Sequence, residues 1–196
     1  MSKTAILILA AGESKRLGEP KQLLSYKEET LLTHTITQLK PIEHSQIIVV
    51  VGAHFREVFQ SIRTQEVFVV KNSNWEKGMG SSISKGVEFL RKKNNFDRVL
   101  ITLSDLPLVT TKHYEDLIEL SKTAGKRIIF TEYKDTSGVP VVFDKSLFDE
   151  LSLLKDDQGA KPVVKKYKKE VLKYTSKTPY LDIDTQEEYQ RLLDLS

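Results

Sequence analysis

Short, unbroken apolar runs separated by stretches of helical spacing constrain this chain more than any other feature. Ala5-Ile6-Leu7-Ile8-Leu9, Ile47-Ile48-Val49-Val50-Val51, Val67-Phe68-Val69-Val70 and Val99-Leu100-Ile101-Thr102-Leu103 read as strands buried on both faces. A strand with one wet face would alternate apolar and polar residues instead. Between the runs, Leu31, Leu32, Thr35, Ile36 and Leu39 fall on one side of a helix that Pro41 stops. Phe55, Val58, Phe59 and Ile62 repeat the helical spacing, and further helices are predicted near 81–92 and 112–122. Later strands are predicted at 127–131, 140–143 and 171–174, and helices near 145–154, 160–167 and 186–193. Strands alternating with helices give an α/β three-layer fold with a mostly parallel sheet. No repeat, low-complexity tract or Pro/Gly-rich linker interrupts the 196 residues, so 1–196 reads as a single domain. The pattern changes after about residue 131, which marks off a second half at 132–196.

Composition removes several classes of function. The chain has no cysteine, which excludes disulfides, thiol catalysis and cysteine-based metal sites. A formal net charge of +3, with Lys and Arg spread along the chain, gives no reason to expect nucleic acid as a partner. The clusters at Arg91-Lys92-Lys93, Lys165-Lys166 and Lys168-Lys169 are expected on solvated helix faces. The apolar run 5–11 is too short for a signal peptide, and nothing approaches a membrane-spanning length. A soluble, cytoplasmic protein with no membrane partner is expected. The four histidines have no metal-ligand spacing and read as surface or helix residues.

The segment leaving the first strand is the chemically loaded one: Leu9-Ala10-Ala11-Gly12-Glu13-Ser14-Lys15-Arg16-Leu17-Gly18-Glu19-Pro20-Lys21. In open α/β sheets, ligands sit at the carboxyl ends of strands. Ala10, Ala11 and Gly12 let backbone N–H groups approach an anion closely, and Ser14 adds a hydroxyl. Arg16 and Lys21 add cations, and Gly18 allows a sharp turn between them. Main-chain donors plus fixed cations suit a nucleoside triphosphate. The spacing is neither Walker A nor Gly-x-Gly-x-x-Gly. A plain turn with solvated Arg and Lys is the competing reading.

Leu9-Ala10-Ala11-Gly12-x-Ser14-x-Arg16-Leu17-Gly18-x-x-Lys21 resembles the signature of the nucleotidyltransferase superfamily. The following Gln22-Leu23-Leu24 is similar to the molybdenum cofactor cytidylyltransferases and their MobA-like relatives. The resemblance implies a Rossmann-like nucleotidyltransferase (GT-A-like) fold with a mostly parallel mixed sheet. It also implies a nucleotide half at about 1–131 and an acceptor half at 132–196.

Two acidic positions complete the expected site. Asp105, in Leu103-Ser104-Asp105-Leu106-Pro107, follows the fourth strand and points toward the same cleft; a turn or helix-capping aspartate is the alternative. Mg²⁺ takes one or two carboxylates together with phosphate oxygens and waters. Asp182 and Asp184 are expected on one face of a short strand, though Asp184 or Thr185 could instead cap the last helix. The resemblance favours Asp105 and Asp184 as the metal ligands. In Trp75-Glu76-Lys77-Gly78-Met79-Gly80-Ser81-Ser82, Ser81 or Ser82 can cap a helix, and the resemblance places Gly80 and Ser82 over the base and ribose. Gly138-Val139-Pro140 and Asp157-Gln158-Gly159-Ala160-Lys161 resemble family segments near the acceptor. Val139 stands where the family has His, and Lys161 where it has Arg. The implied reaction is CMP transfer from CTP to a phosphorylated acceptor, molybdopterin, with Arg16, Lys21 and Asp105 catalytic. A molybdoenzyme would receive the product. Guanylyl or sugar-phosphate nucleotidyl transfer, and a non-catalytic cofactor chaperone, are the alternatives.

Overall fold

The computed structural model describes residues 2–195. Its strands and helices, in chain order, begin with β1 (Thr4–Ala10), β2 (Ser25–Tyr26), β3 (Glu29–Thr30), α1 (Leu31–Leu39), β4 (Ser45–Val51), α2 (Phe55–Ile62), β5 (Phe68–Lys71) and α3 (Met79–Lys93). They continue with β6 (Arg98–Leu103), α4 (Thr111–Thr123), β7 (Ile128–Glu132), β8 (Ser137–Asp144), α5 (Phe148–Leu151), α6 (Lys161–Lys166), β9 (Val171–Thr175) and α7 (Gln186–Asp194). Seven strands form one mixed sheet in the order β5-β4-β1-β6-β8-β7-β9. The first four are mutually parallel, β8 runs antiparallel to both its neighbours, and β7 pairs β9 in parallel.

The unbroken apolar runs have their explanation in the layering. Along β1, Ile6, Ile8 and Ala10 join a core with Leu32 and Ile36 of α1, Val58 and Ile62 of α2 and Leu117 of α4. Ala5, Leu7 and Leu9 join the opposite core with Ile83, Val87 and Leu90 of α3 and Leu151 of α5. Each wholly buried Leu or Ile contributes about 1.5–3 kcal/mol of transfer free energy, so both faces must be apolar. A third, smaller cluster packs Leu17, Leu24, Tyr26 and Leu31 against Ile183 and Leu192. It fastens the C-terminal segment to the loop after β1.

Helix ends follow local rules. Thr30 caps α1, its hydroxyl accepting from Thr33 N–H at 3.1 Å. Neither Ser81 nor Ser82 caps α3, which starts earlier than the sequence suggests, at Met79. Ser81 lies in the first turn and donates to the Gly78 carbonyl at 2.8 Å, while Ser82 accepts from Asn72. No strand forms at Asp182–Asp184. That segment is coil, tied to the end of β6 by Ile183 N–H donating to the Asp105 carbonyl at 3.2 Å. The helix expected near 145–154 is broken into a 3₁₀ turn at Lys145–Leu147 and the single-turn α5. The lysine-rich clusters at the ends of α3 and α6 are exposed. No helix among the described residues is long and apolar enough to cross a membrane.

Candidate active site

Strand order decides where a ligand can sit. β1 has β4 on one side and β6 on the other, so the chain turns away in opposite directions and opens a crevice at their carboxyl ends. The loop after β1 and Asp105 after β6 meet there. They border a cavity of about 620 Å³ lined by Leu9, Ala11, Gly12, Ser14, Lys21, Gln22, Trp75, Gly78, Ser82 and Asp105, among others.

The loop is held open from within. Gln22 is buried, and its Nε2 donates to the carbonyls of Ala10 at 3.3 Å and Gly12 at 3.0 Å. Those acceptors are thereby occupied inside the fold. Ser14 adopts a left-handed backbone with φ 61°, and its Oγ accepts from Lys21 N–H at 3.0 Å. Leu17 N–H returns to the Ser14 carbonyl at 3.0 Å, closing a turn that Gly18 completes at φ 80°. Gly12 has open space where a Cβ would stand, on the cavity side.

Lys21 is the electrostatic centre. Its ammonium contacts Asp105 Oδ2 and lies 2.7 Å from Asp184 Oδ1. Arg16 reaches the other Asp184 oxygen at 2.5 Å from an exposed position on the rim. Burial works against the Lys21 charge, but Asp105 and then Asp184 outweigh it and hold the pKa above the ordinary lysine value. Burial pushes Asp105 upward, with Lys21 opposing, because the side chain is only 4% exposed. Its Oδ1 is buried with no hydrogen-bond partner. Burial also acts on Asp184, but Lys21 and Arg16 overcome it and lower that pKa.

Both capping alternatives are resolved. Thr185 caps α7 in a reciprocal box, accepting from Glu188 N–H at 3.3 Å while Glu188 Oε2 accepts from Thr185 N–H at 2.9 Å. Glu188 also takes Asp184 N–H at 2.8 Å, leaving the Asp184 carboxylate to face Lys21 and Arg16. Asp105 makes no turn or cap bond; its side-chain partner is Lys21.

Other expected residues divide. Ala10 is buried at the end of β1 and stays behind the cavity wall. Gly80 is a packing glycine: its N–H donates to the Asp156 carbonyl at 2.7 Å, and a Cβ would stand 2.6 Å from that oxygen. Ser82 lines the cavity and is fixed by Asn72 Nδ2 at 3.0 Å. The two segments expected near the acceptor separate: Asp157 lines the cavity against Gly78, whereas the Val139 carbonyl accepts from Tyr133 Oη at 2.9 Å. His34 and His113 are helix residues but buried. His113 has a ring nitrogen 3.1 Å from Thr131 Oγ1, and burial lowers its pKa to about 4. Among the described residues no three His, Asp or Glu side chains cluster as a metal cage. Sequence reading left the buried amides of Gln22 and Asn72 and the cavity-lining ring of Trp75 without roles. The one available signal was an uncharged polar side chain beside a glycine-containing turn.

Comparison with known proteins identifies the family and the fold. Nicotine blue oxidoreductase of Paenarthrobacter nicotinovorans is 29% identical over 198 residues, covering 95% of each chain. The crystal structure of Rv0371c from Mycobacterium tuberculosis H37Rv superposes with a TM-score of 0.87 at 28% identity over 98% of each chain. A structure of Rv0371C in complex with manganese superposes with a TM-score of 0.83 at 26% identity over the whole of both chains. Residues 6–171 match the MobA-like NTP transferase domain, and the chain is therefore a member of that nucleotidyltransferase family.

Proposed function

We propose that this protein transfers CMP from CTP to a phosphorylated acceptor, molybdopterin, and releases pyrophosphate. The observation that carries the reading is the Lys21 ammonium held between Asp105 and Asp184 at the edge of the β1-loop cavity. An acceptor phosphate oxygen forms a bond to the α-phosphorus while the bond to the pyrophosphate bridge breaks, and the electron pair leaves with pyrophosphate. The acceptor is already ionised, so no proton must be removed. Lys21 stays charged across the physiological range and offsets charge growing on the leaving group. Arg16, exposed and hinged on Asp184, can turn to the same phosphates.

Two hard carboxylates suit a divalent cation, and the unpartnered Asp105 Oδ1 supplies a free lone pair. Asp105 and Asp184 would hold Mg²⁺, which when bound neutralises phosphate oxygens. That the similar Rv0371C has been solved in complex with manganese supports a divalent cation as the metal. Ala10-Ala11-Gly12 followed by Gln22-Leu23-Leu24 supports CTP over GTP. We place the reaction in the cytoplasm, with a molybdoenzyme receiving the product.

Pyrophosphate release across CTP, GTP, UTP and ATP, with purified molybdopterin or a sugar phosphate and with or without Mg²⁺, tests this. Turnover with CTP and molybdopterin alone is expected. Turnover with GTP or a sugar phosphate refutes the assignment, and tight molybdopterin binding without turnover marks a chaperone. The full-length similarity to nicotine blue oxidoreductase favours a second reading, in which the cavity holds a nucleotide-bearing electron carrier. Electron transfer to a dye in the absence of any pyrophosphate release would favour it.

A further inference from the structure

Tyr180 is an aromatic ring left 37% exposed beside three carboxylates. It belongs to the coil segment that carries Asp182 and Asp184 past Asp105, where Ile183 N–H reaches the Asp105 carbonyl. Burial, then the charge of Asp182 and the hydrogen bond to it, and last the charges of Asp105 and Asp184, raise its phenol pKa. Yet neither Tyr180 nor Asp182 lines the nucleotide cavity. The ring therefore stands outside the nucleotide cavity, close to both candidate metal ligands.

The ring is also braced. Tyr133 lies behind it, centroids 5.0 Å apart and planes at 56°. Tyr133 is itself buried, its hydroxyl donating to the Val139 carbonyl and its ring stacked on His113 at 6.2 Å and 18°. Tyr180 Oη donates to Asp182 Oδ2 at 3.0 Å, which fixes the ring about its own axis. The other Asp182 oxygen has no protein partner among the described residues. A rigid aromatic surface loses little entropy when a flat ligand settles on it.

We infer that Tyr180, backed by Tyr133 and edged by Asp182, is the platform on which a flat nitrogen-heteroaromatic ring of the acceptor stacks. This rests on the acceptor being a pterin-bearing phosphate, as proposed above, and adds the residues that read it. Charge fixes the orientation. Asp182 repels a phosphate, so the phosphate end faces Lys21 and Arg16, and the ring end faces Tyr180. A carboxylate accepts only, so it selects ring N–H and exocyclic amino groups.

The test uses free pterin as the probe and the full chain, read by fluorescence anisotropy and saturation-transfer NMR without nucleotide. Tyr180→Leu is expected to weaken pterin binding about 5- to 150-fold, the range for loss of one base–aromatic stack. Tyr180→Phe is expected to restore most of the binding, and Asp182→Asn to weaken it with the stack intact. Far-UV circular dichroism and unchanged CTP affinity confirm that each variant is folded. Equal pterin affinity in wild type and Tyr180→Leu overturns the inference, as does no pterin binding at all, or binding of glucose 1-phosphate that depends on Tyr180 when pterin binding does not. Because no turnover is read, failure here leaves the pyrophosphate assay intact. Pterin binding without pyrophosphate release would instead sink the transferase reading.

Discussion

Replacing Lys21 with methionine is the sharpest test of how the site is held together. The lysine side chain is 17% exposed and Asp105 only 4%, so the substitution strands a buried carboxylate beside a second one. Removing one partner of a buried pair costs about 3–5 kcal/mol, mostly because the surviving charge is uncompensated. In a domain of this size that lowers Tm by about 6–20 °C. Three features identify the cause. Asp105→Asn in the same molecule should recover most of the loss, because the stranded charge is gone. Mg²⁺ should raise the Tm of Lys21→Met more than that of wild type, since a cation can take the ammonium's place between the carboxylates. Lowering the pH should shrink the gap: the stranded Asp105 is raised above its unfolded value, so its penalty is present above that value and disappears as the folded carboxyl takes a proton. The assay is differential scanning calorimetry at pH 7.5 and 4.5, with and without Mg²⁺. A single variant that melts within about 2 °C of wild type, or a double variant whose losses simply add, refutes the reasoning. Turnover in Lys21→Met should fall by about two to three powers of ten.

Three further expectations are independent of that one. Burial lowers His113 to about 4 against an ordinary 6.5, so the folded state resists a proton that the unfolded chain accepts; stability should fall by about 2 kcal/mol between pH 7.5 and pH 5, and His113→Gln should flatten that slope in urea titrations. Thr185→Ala should cost about 1 kcal/mol by chemical denaturation and also reduce turnover, because the same cap aims Asp184; unchanged turnover would separate the two roles. Gly78→Ala forces φ 96° on a side chain that would meet Asp157 Oδ1, so it should lower stability by about 1–3 kcal/mol and raise the nucleotide KM; wild-type values of both would mean the loop yields freely.

How much of the molecule could be read in advance follows from what each element depends on. β1, β4 and β6 were legible because burial on two faces leaves an unbroken apolar run, and α1 because its stripe ends at a proline. The hairpin β2–β3 was not legible. Each strand has two residues, and its turn places Lys27 and Glu28 at φ 48° and 65°, a conformation normally signalled by Gly or Asn. Asp182–Asp184 looked like a strand because the two aspartates alternate, but the segment has a single backbone bond to its neighbour and stays coil. Asp105 and Lys21 were legible as candidates from their positions after strands. Their contact with each other, and with a carboxylate 163 residues further on, depends on the third hydrophobic cluster, which no local pattern announces. The packing of Gly80 was illegible for a related reason: a glycine beside a ligand loop and a glycine under a neighbouring backbone look alike in sequence.

The clasp between the last helix and the first loop has a consequence for synthesis. Gln186 Nε2 donates to the Leu17 carbonyl at 3.2 Å, and Tyr189 Oη to the Ser25 carbonyl at 2.7 Å, so α7 is sewn to the earliest part of the chain. A growing polypeptide can complete all seven sheet strands by Thr175 and still lack Asp184. Until that residue arrives, Lys21 has one carboxylate where the finished site has two. The full carboxylate pair around Lys21 therefore closes only after every strand of the sheet is in place.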